Sequence, residues 1–370
     1  NETNNVRTRD VTPIVNGYKG DGWQDGRTIA HVYNTTQGHY NLRYSIGDSY
    51  YYSYWYYPHW TTYNITWTPE NLSIPNGATI KYARLYVYYH ADRTPSQNIV
   101  DFFNLKFCGS SIPLEVNYSD AKGFGSWDYS SPVGMAVYNV TNALKAWWST
   151  NPSQNIKAEL TNTYPGGGNV SMDGMLLIVI YEHPNEPERI IYINEGMDLL
   201  YAKDAYGVSS EEATAYATFN VTEDISKFAR AKLITVAPLA NEGDDQNRLY
   251  FNDKLWKGVW YPGCEIYQPD SPFSVAKIEV GPYLRQGENI VAFQSHINRS
   301  AGKTKGDFMA ASNAFLVLEK GKKKVVEIVP ANVTVQPQDQ FDIEVVVDPY
   351  TAILNGVMVD VYGVQYTIKY

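Results

Sequence analysis

The sequence predicts an all-β protein: two duplicated β-sandwiches of jelly-roll type, followed by a shorter, partial immunoglobulin-like β segment. Three observations carry that expectation. Short runs of alternating or wholly apolar residues recur along the chain, divided by Gly, Pro, Asn and Asp clusters, which is the spacing of strands in a sandwich. Aromatic residues make up 14% of the chain, with 32 Tyr and 9 Trp, and Tyr and Trp favour strands and interfaces. The chain also resembles itself. Shifted by 148 residues, Ala83, Leu85, Phe103, Asn104 and Lys106 fall on Ala231, Leu233, Phe251, Asn252 and Lys254.

The chain opens on NETNNV, with neither an initiating Met nor an apolar signal region, as expected of a mature secreted N-terminus. The stretch DSYYYSYWYYPHW (48–60) follows. Read as a strand, it places Tyr50, Tyr52, Tyr54 and Tyr56 on one face and Tyr51, Trp55 and Tyr57 on the other. A half-exposed strand shows polar residues to water, so two aromatic faces predict cover on both sides. Three readings of this tract are open: a platform for sugar rings, a seam between domains or subunits, or tyrosine-rich core.

Further strands are expected at 78–90, 102–108, 175–183, 189–194, 214–221, 231–238 and 313–320. Helix is expected only in VTNALKAWW (140–148) and in SSEEATA (209–215), where Ser209 and Glu212 form a capping-box pattern. The repeat extends to later elements: NVTNAL (139–144) corresponds to EVGPYL (279–284), and MLLIVIYE (175–182) to NAFLVLE (313–319). The prolines of HPNEPE (183–188) place the boundary there. The expected organisation is therefore 1–186 as a first sandwich with an N-terminal extension, 187–320 as a second, and 321–370 as a partial β arm. In that arm Val364, Tyr366, Ile368 and Tyr370 share one strand face, and the pattern stops short of the seven strands of an immunoglobulin-like sandwich.

Charge and motifs narrow the function. A net charge of −9 and a pI near 5.2 argue against a nucleic-acid partner. The longest apolar run, Met175–Tyr181, falls far short of the ~20 residues of a membrane helix. No H-E-x-x-H, G-x-S-x-G or C-x-x-C occurs, the six histidines are scattered, and the sequence is not expected to be that of an enzyme. Nine N-x-[ST] sequons, at Asn34, Asn64, Asn71, Asn117, Asn139, Asn169, Asn220, Asn298 and Asn332, suggest a glycosylated extracellular surface. Cys108 and Cys264 are either a disulfide pair or two separate buried thiols. No cofactor is expected. The acidic loops at 20–22, 194–198 and 243–247 could offer oxygens to Ca²⁺, with Asp244 and Asp245 the first candidates, or could be solvated turns.

INEGMDLLYAKDAYGVSSEEATAYATF (193–219), GDDQNRLYFND with W-x-G-V-W (243–260), ASNAFLVLE (311–319), YKGDGW (18–23), IGDSYY (46–51) and ATIKYARLYVYY (78–89) together carry a family resemblance. They resemble a large β-rich domain of uncharacterised function that recurs in secreted and cell-surface proteins of methanogenic archaea. The tail is similar to the start of the cohesin-like sandwiches that accompany such domains. No catalytic residue is implied by the resemblance. The expectation is a structural protein of the archaeal cell surface that assembles with itself into a sheath, layer or fibre. Its contacts would be Tyr50, Tyr52, Tyr54, Trp55, Tyr56 and Tyr57 and the tail strand. The alternative is an adhesin or carbohydrate-binding surface module with glycans as partners.

Overall fold

The computed structural model describes residues 27–53, 59–94, 98–122, 132–268 and 273–321, with the backbone of 352–354 and 357–359. Its strands sort into two sandwiches of the same design. In the first, β2 (Tyr40–Ser45), β10 (Ser171–Glu182), β4 (Thr79–His90), β8 (Val133–Asn139) and β7 (Val116–Asp120) lie side by side in that order. A second sheet, β3 (Thr62–Trp67), β9 (Ile156–Asn162), β5 (Phe103–Phe107) and β6 (Ser110–Ile112), faces it. In the second half the order recurs as β11 (Arg189–Leu200), β19 (Met309–Lys320), β13 (Phe228–Pro238), β17 (Phe273–Glu279) and β16 (Ile266–Gln268). Its facing strands are β12 (Thr214–Val221), β18 (Gly287–Ser295), β14 (Asn247–Phe251) and β15 (Lys254–Lys257).

The equivalence holds residue by residue. Ala83 pairs with Val179 where Ala231 pairs with Leu318, and Arg84 pairs with Asn139 where Lys232 pairs with Glu279. Val140 N–H donates to the Ala83 carbonyl as Val280 N–H donates to that of Ala231. The 148-residue register fails, however, at the next hairpin. The β5–β6 turn holds Cys108 and Gly109 at positive φ, and its counterpart between β14 and β15 holds Asn252 at φ 52°. Phe107 therefore matches Phe251, and the identities of Phe103, Asn104 and Lys106 with Phe251, Asn252 and Lys254 are out of register. The first copy has four more residues between its third and fourth common strands, so sequence identity and structural equivalence part there.

Strand β1 (Arg27–Asn34) corrects the expected organisation. It leaves the first sandwich and inserts between β11, to which it is antiparallel, and β12, which it touches in parallel at Ile29 and Ala217. The two sheets of the second copy thereby join into one of ten strands. The helix at Thr141–Trp148 is present, and a single turn at Pro69–Leu72 precedes β4. SSEEATA is not helical. Ser209 and Glu212 do exchange capping-box hydrogen bonds, but one capped turn is too short to propagate and β12 starts at Thr214.

Burial explains the aromatic and apolar runs. Along β4, Ala83, Leu85, Val87 and Tyr89 enter the first core with Ile65, Trp67, Leu105 and Leu160. Tyr82, Tyr86 and Tyr88 point the opposite way and pack on the second copy. Strand β10 divides likewise: Met175, Leu177 and Val179 face the first core, while Leu176, Ile178 and Ile180 face the second copy. The outcome is four stacked layers, whose two middle sheets are the equivalent sheets of the two copies. Strands covered on both faces read as continuous apolar runs, each fully buried large side chain adding roughly 1.5–3 kcal/mol.

The loops at one end of the second copy converge on Asp307, which is fully buried. Its carboxyl accepts from the N–H groups of Asn241 and Glu242, both at 3.2 Å, and from Asn247 Nδ2 at 2.9 Å. Burial outweighs these donors and pushes the group up to about 7. The folded chain thus holds this proton where the unfolded chain, titrating near ~4, has released it. The contribution is neutral at low pH and becomes destabilising as pH rises from ~4 to 7, by at most about 4 kcal/mol. The Asp307→Asn variant is expected to flatten this part of the stability profile, measured as denaturant midpoint against pH; an unchanged slope would remove Asp307 as its source.

Candidate assembly surface

The seam between the two middle sheets is polar at its centre. Arg84, in the middle of β4, grips Glu195 of β11 through Nε at 2.8 Å and Nη2 at 2.6 Å. Its Nη1 holds Glu115 at 2.7 Å, and Tyr118 donates to Glu195 at 3.1 Å. The two main partners have side chains 4% and 0% exposed. Burial alone would lower the Arg84 pKa, but the hydrogen bonds and charge of Glu195 outweigh it and leave the guanidinium held above its ordinary value. Nearby, buried Lys122 bridges Asp120 at 2.7 Å and Asp198 at 3.0 Å, while Asp120 also accepts from Leu199 N–H. Tyr88 donates to Asn313 at 2.5 Å, Tyr86 stacks on Phe315, and Tyr88 meets Phe273 edge-on.

Of these residues only Glu195 and Asp198 belong to a stretch with a sequence-based expectation, the acidic one at 194–198. NEGMD lies not in a loop but in β11; its Glu195 and Asp198 are buried in the seam, while Asn194, on the other side of the strand, donates to the Thr218 carbonyl of β12. The usable signal was a charge inside an otherwise apolar run, Arg84 in ATIKYARLYVYY: such a group folds only with a buried partner.

The tyrosine tract is only partly described, since Tyr54, Trp55, Tyr56 and Tyr57 lie outside the described residues. Its beginning is not a regular strand. Tyr52 makes one bridge with Met172 and packs against Trp60, Tyr63 and Tyr50. Trp60 and Tyr63 belong to the core; Trp60 Nε1 donates to the Val170 carbonyl and Tyr63 to that of Tyr50. Tyr51 stacks on His90, which is 2.7 Å from the buried Asp173. Tyr50 is 39% exposed. Core and surface thus meet within four residues, so neither reading covers the whole tract.

A cleft of ≈ 270 Å³ runs along β2, the edge strand of the first middle sheet. One wall carries Arg189, Arg230, Lys232 and Lys277 from the second copy, tempered by Glu265 and Glu319; the other is the short helix with Asn71, Leu72 and Ser73. Arg189, Arg230 and Lys277 pair with carboxylates. Lys232 reaches Glu279 only at 4.0 Å, and burial together with the charges of Arg230 and Lys277 lowers its pKa.

The remaining sequence candidates disperse. Both cysteines are free thiols, so the expected disulfide does not form. Cys108 sits in the β5–β6 turn on the outer sheet of the first copy and Cys264 in the loop before β16 of the second. Burial pushes Cys108 up to about 11. Asp245 is gripped by Arg248 and Lys257, and Asp244 by Lys303. Among the described residues no three His, Cys, Asp or Glu cluster as metal ligands. Asn34, Asn64, Asn71, Asn139 and Asn220 are exposed, whereas Asn117, Asn169 and Asn298 are half-buried. Asn298 Nδ2 donates to the Asp244 carbonyl and its Oδ1 caps a turn. Asn332, Val364, Tyr366, Ile368 and Tyr370 lie outside the described residues. Among those described, no helix is long and apolar enough to cross a membrane.

A family model described as a protein of unknown function, DUF3344, matches residues 17–319. The chain belongs to that family. The DUF3344 unit thus takes in β1, both sandwiches and the seam between them. No curated protein matches the chain. Among solved structures, a plant receptor-like kinase, FER, is similar at 8% identity and a TM-score of 0.22, over 77% of this chain and 89% of that one. PNGase F, a glycosylasparaginase from Flavobacterium meningosepticum, is similar at 11% identity and a TM-score of 0.21, over 70% and 90%.

The seam generates a test. Arg84→Ala leaves Glu195 buried and uncompensated, and is expected to destabilise the DUF3344 chain by about 3–5 kcal/mol in denaturant titration. The double variant Arg84→Met, Glu195→Leu should lose much less. Equal losses in both would show that the pair is not the coupled element.

Proposed function

We propose that the protein is a non-enzymatic structural building block of the archaeal cell surface, which assembles with itself into an extracellular sheath, layer or fibre. The observation that carries this reading is the combination of a seam-locked pair of sandwiches with an open strand edge. Buried ion pairs and stacked rings couple the copies through their central sheets, so the pair behaves as one stiff body. The charged groups that could serve chemistry in that interior, Arg84, Glu195, Lys122 and Asp198, are engaged with one another. Outward, the chain offers what a repeating contact uses: the edge of β2, the exposed Tyr50 and a 49-residue tail beyond Gly321 rich in alternating apolar residues. The family resemblance supplies the archaeal, extracellular setting of the proposal. The adhesin reading rests on the aromatic tract at 48–60, of whose described tyrosine and tryptophan side chains Tyr50 is the exposed one, and is the lesser one.

Sedimentation and electron microscopy of the full chain test the proposal. Concentration-dependent growth into ordered polymers is expected; a monomer across the micromolar range would contradict it. The surface setting has its own check. Glycopeptide mapping of material from the native host should find glycans among Asn34, Asn64, Asn71, Asn139 and Asn220, with Asn298 bare because it is half-buried and held at both ends of its amide. Unmodified asparagine at all five exposed positions would oppose the glycoprotein reading.

A further inference from the structure

The two copies differ at one equivalent edge. In the second, the outer side of β11 is closed by β1, a strand from outside the repeat that pairs from Arg27 with Met197 to Asn34 with Tyr192. In the first, the counterpart β2 has β10 on one side and, among the described residues, no strand on the other. Its ends are tied: Arg189 donates to the Tyr40 carbonyl and Trp67 to that of Ser45. Between them, His183 N–H bonds the His39 carbonyl in the register that pairs Asn41 with Tyr181 and Arg43 with Val179. Antiparallel ladders alternate, so Leu42 and Tyr44 direct their N–H and C=O groups outward, along the cleft.

An unpaired edge is an aggregation hazard unless it is covered, and the second copy shows that this edge is covered by an added strand. The cleft walls define that strand. Four cations on the sheet wall face three carboxylates, Glu265 and Glu319 in the lining and Glu279 behind Arg230 and Lys232, an excess of one positive charge, while the helix wall offers Leu72. The occupant should be extended, acidic on one face and apolar on the other. Within the 49 residues after Gly321, FDIEVVVD (341–348) comes nearest to this pattern: Asp342, Glu344 and Asp348 share one face with Val346, and Phe341, Ile343, Val345 and Val347 make a wholly apolar one. Its eight residues are enough to span the six of β2.

We propose that the edge of β2 is the acceptor site for residues Phe341–Asp348 of a second copy of this chain, which add to the sheet as its sixth strand. The choice of a second copy as donor rests on the assembly reading. Main-chain hydrogen bonds supply affinity and the charge match supplies register. A strand passed from each copy to the next is a heterologous contact, which propagates rather than closes.

Amide hydrogen exchange on the full chain at low and high concentration tests this. Slowing of the Leu42 and Tyr44 amides by ten-fold or more on association is expected. Glu344→Pro, which removes a ladder donor in the tail, should abolish both the slowing and the association. The exposed wall residue provides a charge-swap control: Lys277→Glu should weaken association at least ten-fold, and Glu344→Lys in the same chain should restore it. Association with Leu42 and Tyr44 still exchanging fast overturns the acceptor site and leaves the assembly reading standing. A concentration-independent monomer with both amides already slow means that the tail occupies its own cleft. That result overturns the second-copy donor and the assembly reading together. A monomer with both amides fast overturns both as well.

Discussion

The fold depends on one buried charge pair being satisfied. Arg84 and Glu195 come from different halves of the chain, and neither could lie in the interior alone, because an isolated buried charge costs several kcal/mol. Arg84 sits at the centre of β4, flanked by Tyr82, Tyr86 and Tyr88, so its pairing fixes which faces of the two middle sheets meet and in what register. A seam of apolar residues alone would tolerate sliding; a bidentate guanidinium with Glu115 and Tyr118 beside it does not. Lys122 with Asp120 and Asp198 repeats the device nearby, and the two clusters together fix orientation as well as position.

Duplication and asymmetry coexist in this arrangement. The copies share strand order in both sheets and present equivalent faces to each other, as two subunits of a symmetric dimer would. The symmetry breaks at the outer edges: β1 completes the second copy, whereas among the described residues no strand pairs the outer side of β2, which lies beside a charged cleft. A duplicated unit with one closed and one open edge has a direction. Direction is what a subunit needs for head-to-tail growth, whereas two open edges of equal kind would favour closed pairs.

Much of the fold was legible in the sequence, because strand patterns depend on neighbours two residues apart. The runs at 78–90, 214–221 and 231–238 coincide with β4, β12 and β13 within a few residues. What escaped depends on long-range placement. Arg27–Asn34 precedes the first sandwich in the chain but lies between strands some 160 residues later, and no local pattern encodes that. The register slip at Phe107 and Phe251 escaped because a four-residue difference in one connection brought unrelated Phe, Asn and Lys residues into alignment. The cysteines and acidic loops attracted attention by residue type. Their surroundings are a hairpin turn for Cys108, which is a free thiol, and flanking Arg248 and Lys257 for Asp245. The seam charges had a signal that composition masks: a charged residue among apolar ones at strand spacing.

The central claim is that the seam makes the two sandwiches one cooperative body rather than two beads on a linker. Differential scanning calorimetry of the full chain tests it most directly. The account predicts a single main transition in which calorimetric and van't Hoff enthalpies agree, since opening either copy exposes the buried charges of the other. Two resolved transitions, each with the enthalpy of a sandwich half the size, would contradict it.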